Sequence, residues 1–183
     1  MRNVVLIASA VVLTGSAAVV GAGREDDLAR AVTEVERLDA MRATLAGNLG
    51  AAANPDREMF QAVCAPVGQE AKRIGEANGW KVAQLAEKYR NPVNIADKEA
   101  AKFIHTLAAD SSIQGVWIHT EMNGVPGMRY LRRIEVKESC MPCHSTRDSR
   151  PEFIKTGYPR DRAYNFEVGE IRGLYSVFIP DAR

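Results

Sequence analysis

The stretch "IQGVWIHTEMNGVPGMRYLRRIEV", residues 113–136, decides the fold. Its two halves, "IQGVWIHTE" and "GMRYLRRIEV", are rich in branched and aromatic residues, have a period of two, and flank Asn123-Gly124. Asn-Gly supplies the two positive-φ positions that a tight hairpin needs, so this stretch predicts a pair of antiparallel strands. A later run, "EIRGLYSVFIP" at 170–180, predicts another strand, with Pro180 closing it because proline cannot continue a ladder.

Upstream of the hairpin the pattern is helical. From Asp26 to Leu49, Leu28, Val32, Val35, Leu38, Met41, Leu45 and Leu49 recur at spacings of three and four, the signature of an amphipathic helix. Asn54-Pro55-Asp56 reads as a cap, a proline at the first helical position and an acid at the positive end. The second helix that follows has Phe60, Val63, Cys64, Val67, Ala71 and Ile74 on one apolar face, which turns Cys64 inward. Pro66 is expected to kink or interrupt it, and Gly79 to end the region. "WKVAQLAEKYRNP", 80–92, is expected to be partly helical, and "DKEAAKFIHTLA", 97–108, to be a further helix. Helices followed by antiparallel strands give an α+β domain.

Directly after the strand that ends near Val136 comes "ESCMPCHST", residues 138–146. Cys140, Cys143 and His144 have the Cys-x-x-Cys-His spacing of c-type haem attachment, in which two thiols add across vinyl groups and the adjacent imidazole binds iron. A thioredoxin-like motif has no need of the histidine. A zinc site needs four ligands, and outside this motif only Cys64, His105 and His119 remain, widely scattered. A structural disulfide would leave one of three cysteines over.

The N-terminus agrees with the haem reading. "MRNVVLIASAVVLTGSAAVVGAGREDD" has Arg2, an apolar stretch to about Gly23, and then a charged run, the pattern of a secretory signal. The apolar run Val4 to Ala22, roughly 19 residues, is also just long enough for a membrane anchor. Either way residues 24–183 are expected in the periplasm, as one domain of about 160 residues with one core. Without Arg2 the 24 basic residues fall to 23, matching 23 acidic ones, so no basic excess argues for nucleic acid.

Four blocks, "AVCAPVGQEA" at 62–71, "YRNPVN" at 89–94, "IEVKESCMPCH" at 134–144 and "GYPRDRAYNFEVGEIRGLYSV" at 157–177, resemble the c-haem-binding, PAS-like sensor domains of bacteria and cyanobacteria, the Tll-type haem c domains. The resemblance spans about residues 26–180. It implies a PAS-like antiparallel sheet with N-terminal helices packed beside it, and one covalent haem c on Cys140 and Cys143. It further implies His144 as one axial ligand and Cys64 as the other. Read from the sequence alone, a lone cysteine on an apolar helical face is more often a small buried hydrophobe than a ligand, and Met122, Met128, His105 and His119 compete as sixth ligands. Propionate partners are sought among Arg132, Arg133, Arg172, Tyr130 and Tyr158, of which Arg172 and Tyr158 lie in a matched block.

These observations lead to an exported monohaem cytochrome with His/Cys-ligated iron, acting as a redox or small-ligand sensor. The alternative is a periplasmic electron-transfer cytochrome. An enzyme is not expected, because no His-Arg pair beside a vacant iron position stands out. The partner, a redox protein or a signalling protein, is not specified.

Overall fold

The computed structural model describes residues 17–50 and 55–181, with side chains from 23 to 47 and from 55 to 181. Most of the expected export segment, 1–23, lies outside the described residues, as does Asn54. Among the described residues no helix is long and apolar enough to cross a membrane.

The hairpin forms as its sequence requires. Strands β2 (Gly115–Met122) and β3 (Val125–Glu135) pair antiparallel, with Met122 opposite Val125. Asn123 at φ 54 and Gly124 at φ 78 make the turn. Trp117 faces Tyr130 across the pair, and their rings stack at 4.9 Å. Strand β4 (Ile171–Pro180) runs antiparallel beside β3, and a short edge strand, β1 (Lys81–Leu85), adds on its far side, giving the order β1-β4-β3-β2.

Strand β1 corrects the expectation of a partial helix at 80–92. Ala, Gln, Leu, Glu and Lys in "KVAQLAEK" favour helix locally, but five residues aligned with β4, Lys81 opposite Phe178 through Leu85 opposite Leu174, bind the segment into the sheet. Tertiary pairing overrides a weak local propensity. Gly173 marks how closely the two strands approach, since a Cβ there would run into the Leu85 carbonyl oxygen.

Helix α1 (Ala17–Gly50) begins earlier than the expected Asp26 and buries Ala31, Val35 and Leu38. Helix α2 (Arg57–Asn78) is capped by Asp56, whose carboxylate accepts from the Met59 amide at 2.8 Å, so the cap lies two residues beyond the predicted Asn54, and Pro55 precedes it. Gly79, at φ 68, ends the helix in the left-handed conformation that suits glycine. Helix α2 runs through Pro66 without interruption, with the Ala62 carbonyl deprived of its usual amide partner. α1 and α2 cover one face of the sheet, packing on Trp80, Tyr130, Ile134, Tyr175 and Val177.

The opposite face is covered by α3 (Lys98–Ala109), capped by Asp97, with Ala100, Ile104 and Leu107 against Leu85, Leu131 and Leu174. Buried Arg129 ties this helix down: its guanidinium bonds Asp97 at 2.6 Å, and its Nε donates to Ser176 at 2.8 Å. The architecture is α+β, with the N-terminal helices beside an antiparallel four-stranded sheet. From the end of β3 the chain makes a 3-10 turn (Glu138–Cys140), the short helix α4 (Met141–His144) and helix α5 (Glu152–Gly157) before entering β4.

Candidate functional site

Where α4 meets α2 and the ends of β1 and β4, a cavity of about 480 Å³ opens, within the ~300–1,000 Å³ typical of cofactor sites. One helical turn places Cys140 and Cys143 three residues apart on one side, and both line the cavity together with His144. Cys140 Sγ takes the Lys137 amide at 3.4 Å, and Cys143 is buried. All three cysteines, Cys64 included, are free thiols.

His144 is held in one tautomer. Its Nδ1 lies 2.8 Å from the Ala163 carbonyl oxygen, which can only accept, so Nδ1 carries the proton and Nε2 keeps a lone pair. Phe166 braces the ring edge-on at 6.0 Å. Burial, with Arg172 and Arg90 nearby, holds the imidazole well below its ordinary pKa and therefore neutral.

Cys64 lines the same cavity from α2, with Phe60, Val63, Val67 and Gly68. It is not part of the closed core that the helical pattern suggested, because its exposed surface opens into the cavity. Burial pushes its thiol up to about 11, opposed in part by the Arg90 charge. Ile74, on the same stripe, instead packs on the sheet, because two further turns of α2 carry it past the cavity. A Cβ added at Gly68 would meet nothing within 4 Å, so the helix leaves open space there.

Three guanidiniums border the cavity. Arg90 is buried, donates from Nη2 to the Cys143 carbonyl at 2.8 Å, and has an Nε without a hydrogen-bond partner, the nearest Asp161 oxygen being 3.6 Å away. Arg172 donates to the Lys88 carbonyl at 2.8 Å, and burial with the Arg90 charge lowers it to about 10. Arg42 is paired with Asp39 at 2.8 Å, and its Nη1 lies 4.0 Å from Cys140 Sγ.

Of the residues predicted from sequence, Cys140, Cys143, His144, Cys64, Arg172 and Tyr158 all meet at this cavity. Arg132, Arg133 and Tyr130 do not. Strand alternation sends Tyr130 into the core under α1 and pairs Arg132 with Glu36 and Asp39 of α1, while Arg133 faces the α3 side. Neither Met122 nor Met128 lines the cavity, and His105 and His119 pair at the surface with Glu87 and Asp181. Arg90 and Arg42 were missed. Arg90 lies inside the "YRNPVN" block, which could have found it, whereas Arg42 carries no local signal.

Chemically, the cavity offers one neutral imidazole nitrogen, soft sulfur donors and guanidinium groups, among them Arg90 with an Nε that lacks a hydrogen-bond partner. Among the described residues no group of three or more His, Cys, Asp or Glu side chains is placed to hold a bare metal ion, so these donors suit a group that brings its own remaining ligands. No curated protein matches the chain. In structure the chain is similar to the cyanobacterial heme-protein Tll0287, with 42% sequence identity, a TM-score of 0.77, and coverage of 86% of this chain and 97% of that one. The model of the Tll0287-like family matches residues 23–180, and the chain belongs to that family.

Proposed function

We propose that the chain is an exported, single-haem c-type cytochrome on a PAS-like scaffold, with residues 1–23 directing or anchoring export and 24–183 forming the haem domain. Its role is to report a redox change or a small ligand to a protein partner rather than to turn over a substrate. The observation that carries this reading is the orientation of His144. An imidazole whose Nδ1 is tied to a backbone carbonyl presents a fixed Nε2 beside Cys140 and Cys143, in the cavity that Cys64 also enters. The similar solved structure is that of a heme-protein, which supports the same cofactor here.

The chain's residues fit a covalent haem. Cys140 and Cys143 would form the thioethers, and His144 and Cys64 would supply the axial donors. Arg90, whose Nε lacks a partner, and Arg172 would take the propionates, with Tyr158 at the same rim. When bound, haem supplies a one-electron iron couple whose potential the axial ligands set. Cys64 Sγ, which holds its proton to about pH 11, must release that proton to act as an anionic ligand, and regains it when the anionic form is no longer favoured. Cys64 lies two residues before Pro66, where α2 lacks one backbone bond, so a change at the sulfur acts on a compliant point of the helix.

The test is a redox titration, with ferric and ferrous spectra, of the holoprotein and of Cys64→Ser. A thiolate stabilises the oxidised state, so the variant should show a raised potential and lose the low-spin thiolate spectrum while keeping its haem. Unchanged spectra and potential would remove Cys64 from the iron. Wild-type spectra showing the same axial ligands in both oxidation states would instead favour an electron-transfer cytochrome.

A further inference from the structure

A second cavity, of about 510 Å³, opens on the other side of Arg172, between α3 and the loop that leads into β4. Arg133 lines it and is only 3% exposed. Arg129, four residues earlier on the same face of β3, shows how a buried guanidinium is ordinarily satisfied: Asp97 and Glu99 both pair with it. Arg133 has no such partner among the described residues. Its Nη1 reaches the Leu107 carbonyl at 3.4 Å, its Nε has no partner, and Asp110 feels its charge without pairing with it. A buried charge without a directly paired counter-charge is costly, so this arrangement is one that an anion would complete.

The neighbouring charges point the same way. Lys88 Nζ, over the Phe166 ring at 4.3 Å, donates to the Asn165 carbonyl, and Arg172 donates to the Lys88 carbonyl; neither meets a carboxylate among the described residues. Two acids also line the groove, Glu87, 3.2 Å from His105, and Glu170, which accepts from the Glu167 amide at 3.0 Å, against the three cations Lys88, Arg133 and Arg172. Ile104, Ile171 and Phe166 supply apolar lining, beside His105 and Ser111.

We propose that this groove binds a small organic carboxylate with an apolar body, its carboxylate on Arg133 and Lys88, and that the occupied groove lowers the reduction potential of the haem site. The second clause rests on the haem reading above. Arg172 lines both cavities, and Phe166 stands between the groove and the His144 ring, so a negative charge placed here offsets a cation beside the iron ligand and favours the oxidised state.

Benzoate is the probe, titrated calorimetrically into the full-length holoprotein, with benzylamine as a control of similar shape and opposite charge. Saturable benzoate binding is expected, weakened about tenfold or more in Arg133→Leu and in Lys88→Gln, with haem content and absorption spectrum unchanged in both. The midpoint potential should fall when benzoate saturates. Absence of saturable benzoate binding, equal binding of benzylamine, or undiminished affinity in the variants overturns the site. Binding without a shift in potential overturns the coupling. Should Arg133→Leu fail to fold, Lys88→Gln, on an exposed side chain, decides alone. Haem content is read on the same samples, so a chain that takes up no haem yet binds benzoate contradicts the haem reading and leaves the groove standing.

Discussion

The hydrogen bond from His144 Nδ1 to Ala163 fixes one wall of the cavity, and the open space at Gly68 leaves another wall free to accept a side chain. Gly68 lies inside α2, and a methyl group there would touch nothing within 4 Å. Gly68→Ala should therefore stabilise the haem-free protein by ~0.5–1 kcal/mol, the helix-interior advantage of alanine over glycine. Gly68→Trp should fill the cavity and abolish haem uptake with the fold retained. Haem content against circular dichroism checks both, and normal uptake by the tryptophan variant would show that the cofactor lies elsewhere. At Gly173 there is no such space. Gly173→Ala sets a methyl group against the Leu85 carbonyl and should cost ~1–3 kcal/mol in a denaturant titration. Cys140, Cys143 and His144 could be proposed from the sequence because the motif occupies five adjacent positions, and the structure brings all three to one cavity. The guanidiniums were less so. Arg172 could be placed by its matched block, but Arg132 and Arg133 differ only in which face of β3 they occupy, and that is known only once the strand is paired.

Between elements, α1 and α2 are pinned by Glu70, which takes Arg73 on its own helix and Arg37 across from it. The Arg73 guanidinium, with Arg37, lowers the Glu70 carboxyl to about 2. A depressed carboxylate contributes stability above its unfolded pKa, lost as pH falls through the folded value, so this contribution disappears between about pH 4.5 and 2. Exposed pairs contribute under about 1 kcal/mol, so Glu70→Gln should lower stability slightly at neutral pH and flatten the acid limb, as thermal melts from pH 5 to 2 would show. On the opposite face Leu107 is fully buried against β3 and β4, and Leu107→Ala should cost ~2–5 kcal/mol. The three long helices and the hairpin were readable because their periodicity is local, although the α2 cap falls at Asp56 instead of Asn54. The edge strand β1 was not, since five residues of helix-favouring composition become a strand only through β4, far along the chain.

For the molecule as a whole, the sheet is closed by α1 and α2 on one face and α3 on the other, but the inner side of α2 near Phe60 and Cys64 borders open cavity, while Val67 beside them is also buried in the core. Burying that apolar lining against a porphyrin contributes about 25 cal/mol per Å² of area removed from water. The holoprotein should therefore melt at a clearly higher temperature and more cooperatively than the haem-free chain, and coincident melts would mean that the cofactor adds nothing to the fold. The central claim, that a haem is joined to this cavity through Cys140 and Cys143, is tested most directly by mass spectrometry of the tryptic peptide Glu138–Arg147, from protein matured with a haem-attachment system and extracted with acid-acetone. The expected result is a peptide carrying the mass of one haem with neither cysteine open to alkylation; the same peptide without haem, alkylated at both Cys140 and Cys143, would contradict it.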